Sequence, residues 1–259
     1  MKKFLKILIV CTSISLLAAC DLDDSLSGRM VGEDQTAERD LSSEQPGEED
    51  SNTDDNSNSQ NEEDPDLEDH LNEDTTNNER MRLVDKVLKN SNVSADALNR
   101  AVDYFDANKS KFSNKRYMAI VDFTQHSGRK RLYIIDLVDG SVEQLHVSHG
   151  SGSDKNHDGY AESFSNVSGS HQSSLGFVKS AETYYGKHGY SLRLDGLESR
   201  NSRVRSRAIV IHGASYVDPS LAKMGRSQGC PAVTMSRKDS VINRLKNGAL
   251  IYLYHASNP

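Results

Sequence analysis

The chain has 259 residues, 35% hydrophobic and 27% charged, with a net charge of −7, three cysteines and no tryptophan. Its mean hydropathy of −0.67 and the lack of a long apolar run after the first twenty residues argue against a multi-span membrane protein. No His/Cys cluster has the spacing of a zinc site, so metal-dependent hydrolysis is not supported.

Residues 1–20 read MKKFLKILIVCTSISLLAAC. Lys2, Lys3 and Lys6 form a basic start, and Ile7 to Leu17 is an apolar run of signal-peptide length, too short for a permanent span. Leu17-Ala18-Ala19-Cys20 resembles the bacterial lipobox, in which the cysteine is lipidated and becomes the mature N-terminus. Cys11 lies inside the apolar run and reads as filler. Lipid on Cys20 would anchor the protein to a membrane without spanning it. The expected location is therefore the cell envelope, on the periplasmic face. Asp21 resembles the signal for retention at the inner membrane.

Residues 21–79 contain 22 acidic and two basic residues, with Ser, Asn, Gln and Thr filling much of the rest. Such a composition cannot bury enough apolar surface to offset chain entropy, so a disordered acidic linker is expected. As a flexible coil it would reach about 40–45 Å. Residues 80–259 hold 26 basic and 16 acidic residues, a charge of +10. A basic domain outside the cytoplasm points to an anionic cell-wall polymer and away from nucleic acid.

Residues 80–114 read as a helical extension. Met81, Val84, Val87 and Leu88 recur at helical spacing, and Asn90-Ser91-Asn92 interrupts them. Ser94 is a candidate N-cap for a second helix with Leu98, Val102 and Phe105 on one face. From residue 115 to 259 the pattern changes to strands. YMAIVDF, RLYIIDL, SVEQLHVS, LGFVKSAETYY, YSLRL, RAIVIHG and ALIYLYH are short and rich in β-branched and aromatic residues. Thr124–Lys130 and Asp139-Gly140 suit hairpins, and SRKDSVINRLKN suits a short helix with Val241, Ile242 and Leu245 inward. The expected fold is mostly β: a sandwich or barrel-like domain with short helices, after a helical segment and a disordered tail.

Chemistry concentrates in Ala208 to Val233. His212 closes an apolar strand, Gly213 follows it, and Cys230 is the sole cysteine downstream of Cys20. A cysteine and a histidine brought together by a fold are a candidate nucleophile and base. Gly229 lets the backbone come close to a substrate, and the N–H groups of Gly229 and Cys230 are candidate oxyanion donors.

The spacing His-x14-Ser-x-Gly-Cys, from His212 through Ser227 and Gly229 to Cys230, resembles the signature of the L,D-transpeptidase (YkuD-type) catalytic domain. GSHQSSLGF, GKHGYSLRL and GRSQGCPAV bring it close to the murein L,D-transpeptidase branch, over roughly residues 115–255. The resemblance implies a YkuD-like β fold, Cys230 as nucleophile, His212 as base and the Gly213 carbonyl as the third member. It implies acyl transfer on peptidoglycan stem peptides through a thioester, with no cofactor. Ser227, Gln228, Gly229 and Arg226 are the implied substrate contacts. Two departures stand out: Gln228 replaces the usual histidine, and Pro231-Ala232-Val233 replaces a polar continuation. The alternatives are an L,D-carboxypeptidase that trims stems, an enzyme joining another protein to the wall, and a non-catalytic wall-binding lipoprotein.

Three further stretches are noted. Ser173, Ser174 and neighbours resemble a turn beside the cleft of that family, and His188 and Tyr190 are candidates to line the groove. His149 sits in a loop of Gly and Ser. Asp154, Asn156 and Asp158 followed by Gly159 imitate the start of a calcium loop. Its twelfth position is Ser165 rather than the closing glutamate, so a side-chain-stabilised turn is the plainer reading.

Overall fold

The computed structural model describes residues 65–258, with side chains described from residue 76. The signal segment, Cys20, Asp21 and most of the acidic linker lie outside the described residues.

Helix α1 (Pro65–Asn90) starts inside the stretch expected to be linker. It is followed by α2 (Ala95–Ala107), where Ser94 is the N-cap and its side chain accepts a hydrogen bond from Ala97 N. Val84 and Val87 of α1 are buried, but Met81 is 58% exposed. At about 100° per residue, Met81 is turned about 60° from Val84, on the side away from Val87. Leu98, Val102 and Phe105 of α2 are buried, as their spacing predicts.

Eight strands follow: β1 (Tyr117–Asp122), β2 (Leu132–Asp136), β3 (Val142–Leu145), β4 (Gly176–Gly186), β5 (Gly189–Gly196), β6 (Val210–Ala214), β7 (Ala232–Thr234) and β8 (Leu250–Tyr254). Helix α3 (Lys238–Leu245) precedes β8. One sheet holds them in the order β3-β2-β1-β8-β4-β5-β6-β7. β1 pairs with β8 and β6 with β7 in parallel, and the other pairs are antiparallel.

The sheet curls until its two edges almost meet. Ser148, just past β3, donates its N–H to Ala232 O of β7 at 2.9 Å and accepts from Ala232 N at 3.2 Å through its hydroxyl. Further on, Ser227 N donates to His149 O and Ser151 N donates to Ser227 O. The result is a nearly closed, barrel-like sheet, and the mostly β expectation holds.

Both faces of β1, β2 and β8 are covered, which is why they read as unbroken apolar runs. Ala119, Val121, Leu132, Ile134, Ile251 and Leu253 point into the barrel, where Val241, Ile242 and Leu245 of α3 plug it. Met118, Ile120, Tyr133, Ile135, Leu250 and Tyr252 point outward against Val87, Leu98, Val102 and Phe105 of the two helices. The helices thus complete the core of the domain, and could not bury their own apolar faces without it.

Candidate active site

β6 places His212 within its length and not at its end, since the strand continues to Ala214. The reason is β7, a three-residue strand that pairs His212 with Ala232 and Gly213 with Val233. Cys230 therefore stands two residues before the residue paired with His212. Adjacent parallel strands deliver both groups to the same end of the sheet.

His212 is 2% exposed, and its Nδ1 lies 3.0 Å from the carbonyl oxygen of Gly213. That bond assigns the proton to Nδ1 and leaves Nε2 as a lone pair. Burial pushes the imidazole down to about 4, against the raising effect of Gly213, with His188 and Lys187 lowering it further. His212 is consequently neutral at pH 7, the state a base requires. His188 stacks on it with ring centroids 4.2 Å apart.

Cys230 is half-buried and outside any disulfide. Its thiol donates to Ala208 O at 3.5 Å. The loop before it is closely packed. Gly229 has φ +120°, and a Cβ there would stand 2.8 Å from Gln172 O and 3.0 Å from Ile209 Cδ1, so no other residue fits. The Ser227 hydroxyl donates to Cys230 O at 2.7 Å and accepts from Gly229 N at 3.0 Å, so the Gly229 amide expected as an oxyanion donor is engaged within the loop in this structure. Gln228 is the exposed member of the loop. Arg226 is tied down instead of reaching into the cleft, donating to the Asp154 carbonyl.

Below this loop lies a buried polar line that the sequence did not reveal as a unit. Arg131, His149 and Asp154 are each at most 1% exposed. Arg131 Nη2 donates to His149 Nδ1 at 2.8 Å, and His149 Nε2 meets Asp154 Oδ2 at 3.0 Å. Accepting at one nitrogen and donating at the other, His149 must be neutral; burial and the Arg131 charge push it down to about 4. Burial raises the Asp154 carboxyl, but hydrogen bonds from His149, Gly159 and Asp158 outweigh it and hold the group below its usual range. The resemblance to a calcium loop is thereby explained in another way. Asp154 faces inward, while Asn156 and Asp158 accept from Asp158 N and Tyr160 N to build a turn. Among the described residues, no group of three or more His, Cys, Asp or Glu side chains could hold a metal ion.

Ser173 and Ser174 are also structural. Ser173 Oγ accepts from Gly150 N at 2.9 Å, and Ser174 Oγ accepts from Arg207 Nη1 at 2.7 Å. Tyr190 lies off the site, its hydroxyl donating to Asn243 Oδ1 at 3.1 Å. His188, in contrast, lines a cleft of about 430 Å³ together with Lys187, Gly213, Tyr216, Met235 and Lys238. Two residues missed by sequence reasoning complete the surroundings. Tyr216 is pushed up to about 12 by burial first, and further when Cys230 is ionised. Burial lowers the Arg207 guanidinium, and an ionised Cys230 acts in the opposite direction.

Several solved structures are similar to this chain at a low level. An L,D-transpeptidase from Mycobacterium smegmatis is 11% identical, covering 54% of this chain and 58% of that one, with a TM-score of 0.35. L,D-transpeptidase LdtMt1 in complex with imipenem is 11% identical over 54% and 59%, TM-score 0.35. L,D-transpeptidase 3 from Mycobacterium tuberculosis is 12% identical over 54% and 61%, TM-score 0.36. This chain thus spans about three-fifths of the length of these proteins. No curated protein matches it. The family model for the L,D-transpeptidase catalytic domain matches residues 89–254, which include α2, all eight strands, His212 and Cys230, and the chain belongs to that family.

Proposed function

We propose that this protein is a cysteine-dependent L,D-transpeptidase acting on peptidoglycan stem peptides. The observation that carries the reading is the state of His212: buried, neutral, its Nδ1–H spent on Gly213 O and its Nε2 left to take a proton. In the proposed reaction, Nε2 accepts the Cys230 thiol proton and the sulfur attacks the carbonyl carbon after the third stem residue. The C–N bond breaks, the leaving amine takes the proton from His212, and a thioester remains on Cys230. An amine of a neighbouring stem attacks the thioester, gives its proton to His212 and releases the thiolate, forming the cross-link. Lys187 and Lys238 in the cleft beside His188 supply positive charge suited to a stem carboxylate. Lipidation of Cys20 and placement in the cell envelope belong to the same proposal.

Imipenem, found bound in one of the related structures, provides the test. Intact-mass analysis of the protein with imipenem is expected to show one adduct. Cys230→Ala should abolish it and His212→Ala should slow it about 100-fold or more. Absence of an adduct on the wild-type protein, or its persistence in Cys230→Ala, defeats the proposal. Incubation with purified stem peptides then separates outcomes: dimers linked through the third residue support transpeptidation, whereas shortened monomers alone identify a carboxypeptidase.

A further inference from the structure

The turn that leads into β6 presses directly on the nucleophile. Ala208 has φ +51°, a left-handed conformation that is unfavourable for an L-residue. That conformation accompanies a carbonyl 3.5 Å from Cys230 Sγ. A carbonyl oxygen suits a thiol, to which it acts as acceptor, and opposes a thiolate. A nearby cation would offset this and favour ionisation of the sulfur.

Arg207 is adjacent. Its Nη2 would stand 3.4 Å from a Cβ on Gly229, the residue before Cys230. The guanidinium donates to Ser165 O, to Ser174 Oγ at 2.7 Å, to Ser170 Oγ at 3.2 Å and to Gln172 O at 2.6 Å. All four acceptors are neutral, and no carboxylate among the described residues forms a salt bridge with it. Its charge is held half-buried beside the sulfur. The other titratable groups facing this corner are neutral at pH 7: His212 from β6, and Tyr216 from the loop after it, whose phenol burial pushes up. The remaining neighbours, Ser148 and Ser227, contribute hydroxyls.

We propose that Arg207 is a positioning residue that supplies the cation stabilising the Cys230 thiolate, while its four hydrogen bonds fix residues 165–174 as a wall of the site. This rests on the reading of Cys230 as nucleophile. The thiolate concerned is the one left when His212 Nε2 takes the thiol proton, and the permanent charge of Arg207 adds to that of the imidazolium.

The test is the pH dependence of Cys230 alkylation by iodoacetamide in the full chain, followed by mass analysis of the Cys230 peptide, with folding checked by circular dichroism. Arg207→Gln should raise the midpoint by about one pH unit and slow alkylation at pH 7 about tenfold. Arg207→Lys, which keeps the charge, should restore most of that shift. Ser174→Ala, which removes one wall contact and keeps the charge, should leave the midpoint in place; it and Arg207→Lys decide the matter if Arg207→Gln does not fold. The proposal is overturned by an unmoved midpoint in Arg207→Gln, by Arg207→Lys shifting as far as Arg207→Gln, or by Ser174→Ala raising the midpoint about one unit. Imipenem reaction run in parallel keeps the two readings apart. A raised Arg207→Gln midpoint without any wild-type adduct defeats the transpeptidase reading alone. A wild-type adduct with an unmoved midpoint defeats the Arg207 role alone.

Discussion

Burial is the first cause of the low pKa of both His212 and His149; the Arg131 charge adds to it for His149, and His188 and Lys187 add to it for His212. His212 is desolvated in β6, and His149 is wedged between Arg131 and Asp154. Each falls to about 4, below the ordinary histidine value of about 6.5. Between those values the unfolded chain binds more protons than the folded one. Stability is therefore full above pH about 6.5 and is lost as pH falls towards 4, with a slope of up to about 1.4 kcal/mol per pH unit for each histidine. Urea unfolding at pH 5.0 and 7.5 should show this loss, and His212→Gln should show a smaller one; equal losses in the two proteins would remove His212 from the account. The candidate pair, Cys230 and His212, could be picked out in the sequence because its spacing is local to one stretch. Arg207, Ser148 and Arg131 were not legible, because their roles come from contacts across 16 to 84 positions that only the folded barrel creates. A motif shows which residue is present, but not which way it turns: the Ser227 hydroxyl is engaged within its own loop.

The α1–α2 layer supports the site without touching it. Leu98 is fully buried between α2 and the outward face of the sheet. Leu98→Ala should lower unfolding free energy by about 2–5 kcal/mol, through lost burial and the cavity left behind. At 25 °C the rate of imipenem adduct formation should stay within about twofold of wild type for the folded fraction, because perturbations at distant, unconnected sites act independently. A large fall in that rate would mean that the layer is coupled to the nucleophile. Most elements were legible from periodicity, and the two-faced burial of β1, β2 and β8 shows in their unbroken apolar runs. β7 escaped because three residues, Ala232–Thr234, hold too little pattern to register. The start of α1 escaped because its acidic, apolar-poor composition resembles solvated chain. A signal was nevertheless present: Pro65 at the helix start with Asp66, Glu68 and Asp69 in the first turns matches the preference of helix N-termini for proline and negative charge.

At the scale of the molecule, two opposed charge distributions remain. Residues 80–259 carry +10 and residues 21–79 carry −20, so the net −7 conceals a basic catalytic domain. On the proposed function the partner is peptidoglycan, whose stems carry carboxylates, and its attraction to the domain would be long-range and screened by salt. Residues 21–64 contribute 16 acidic and two basic residues, and deleting them changes the net charge from −7 to +7 while keeping all of α1. Co-sedimentation with purified sacculi should therefore be stronger for the deletion variant than for the full chain at an ionic strength of about 0.05 M. The difference should collapse at about 0.5 M, where the Debye length is only about 4 Å. Iodoacetamide reactivity of Cys230 should match in the two proteins, since Arg207 acts at contact distance where bulk charge is of little consequence. Equal sedimentation at low salt would show that net charge does not set wall affinity, and that recognition lies in the cleft beside His188 and Lys238.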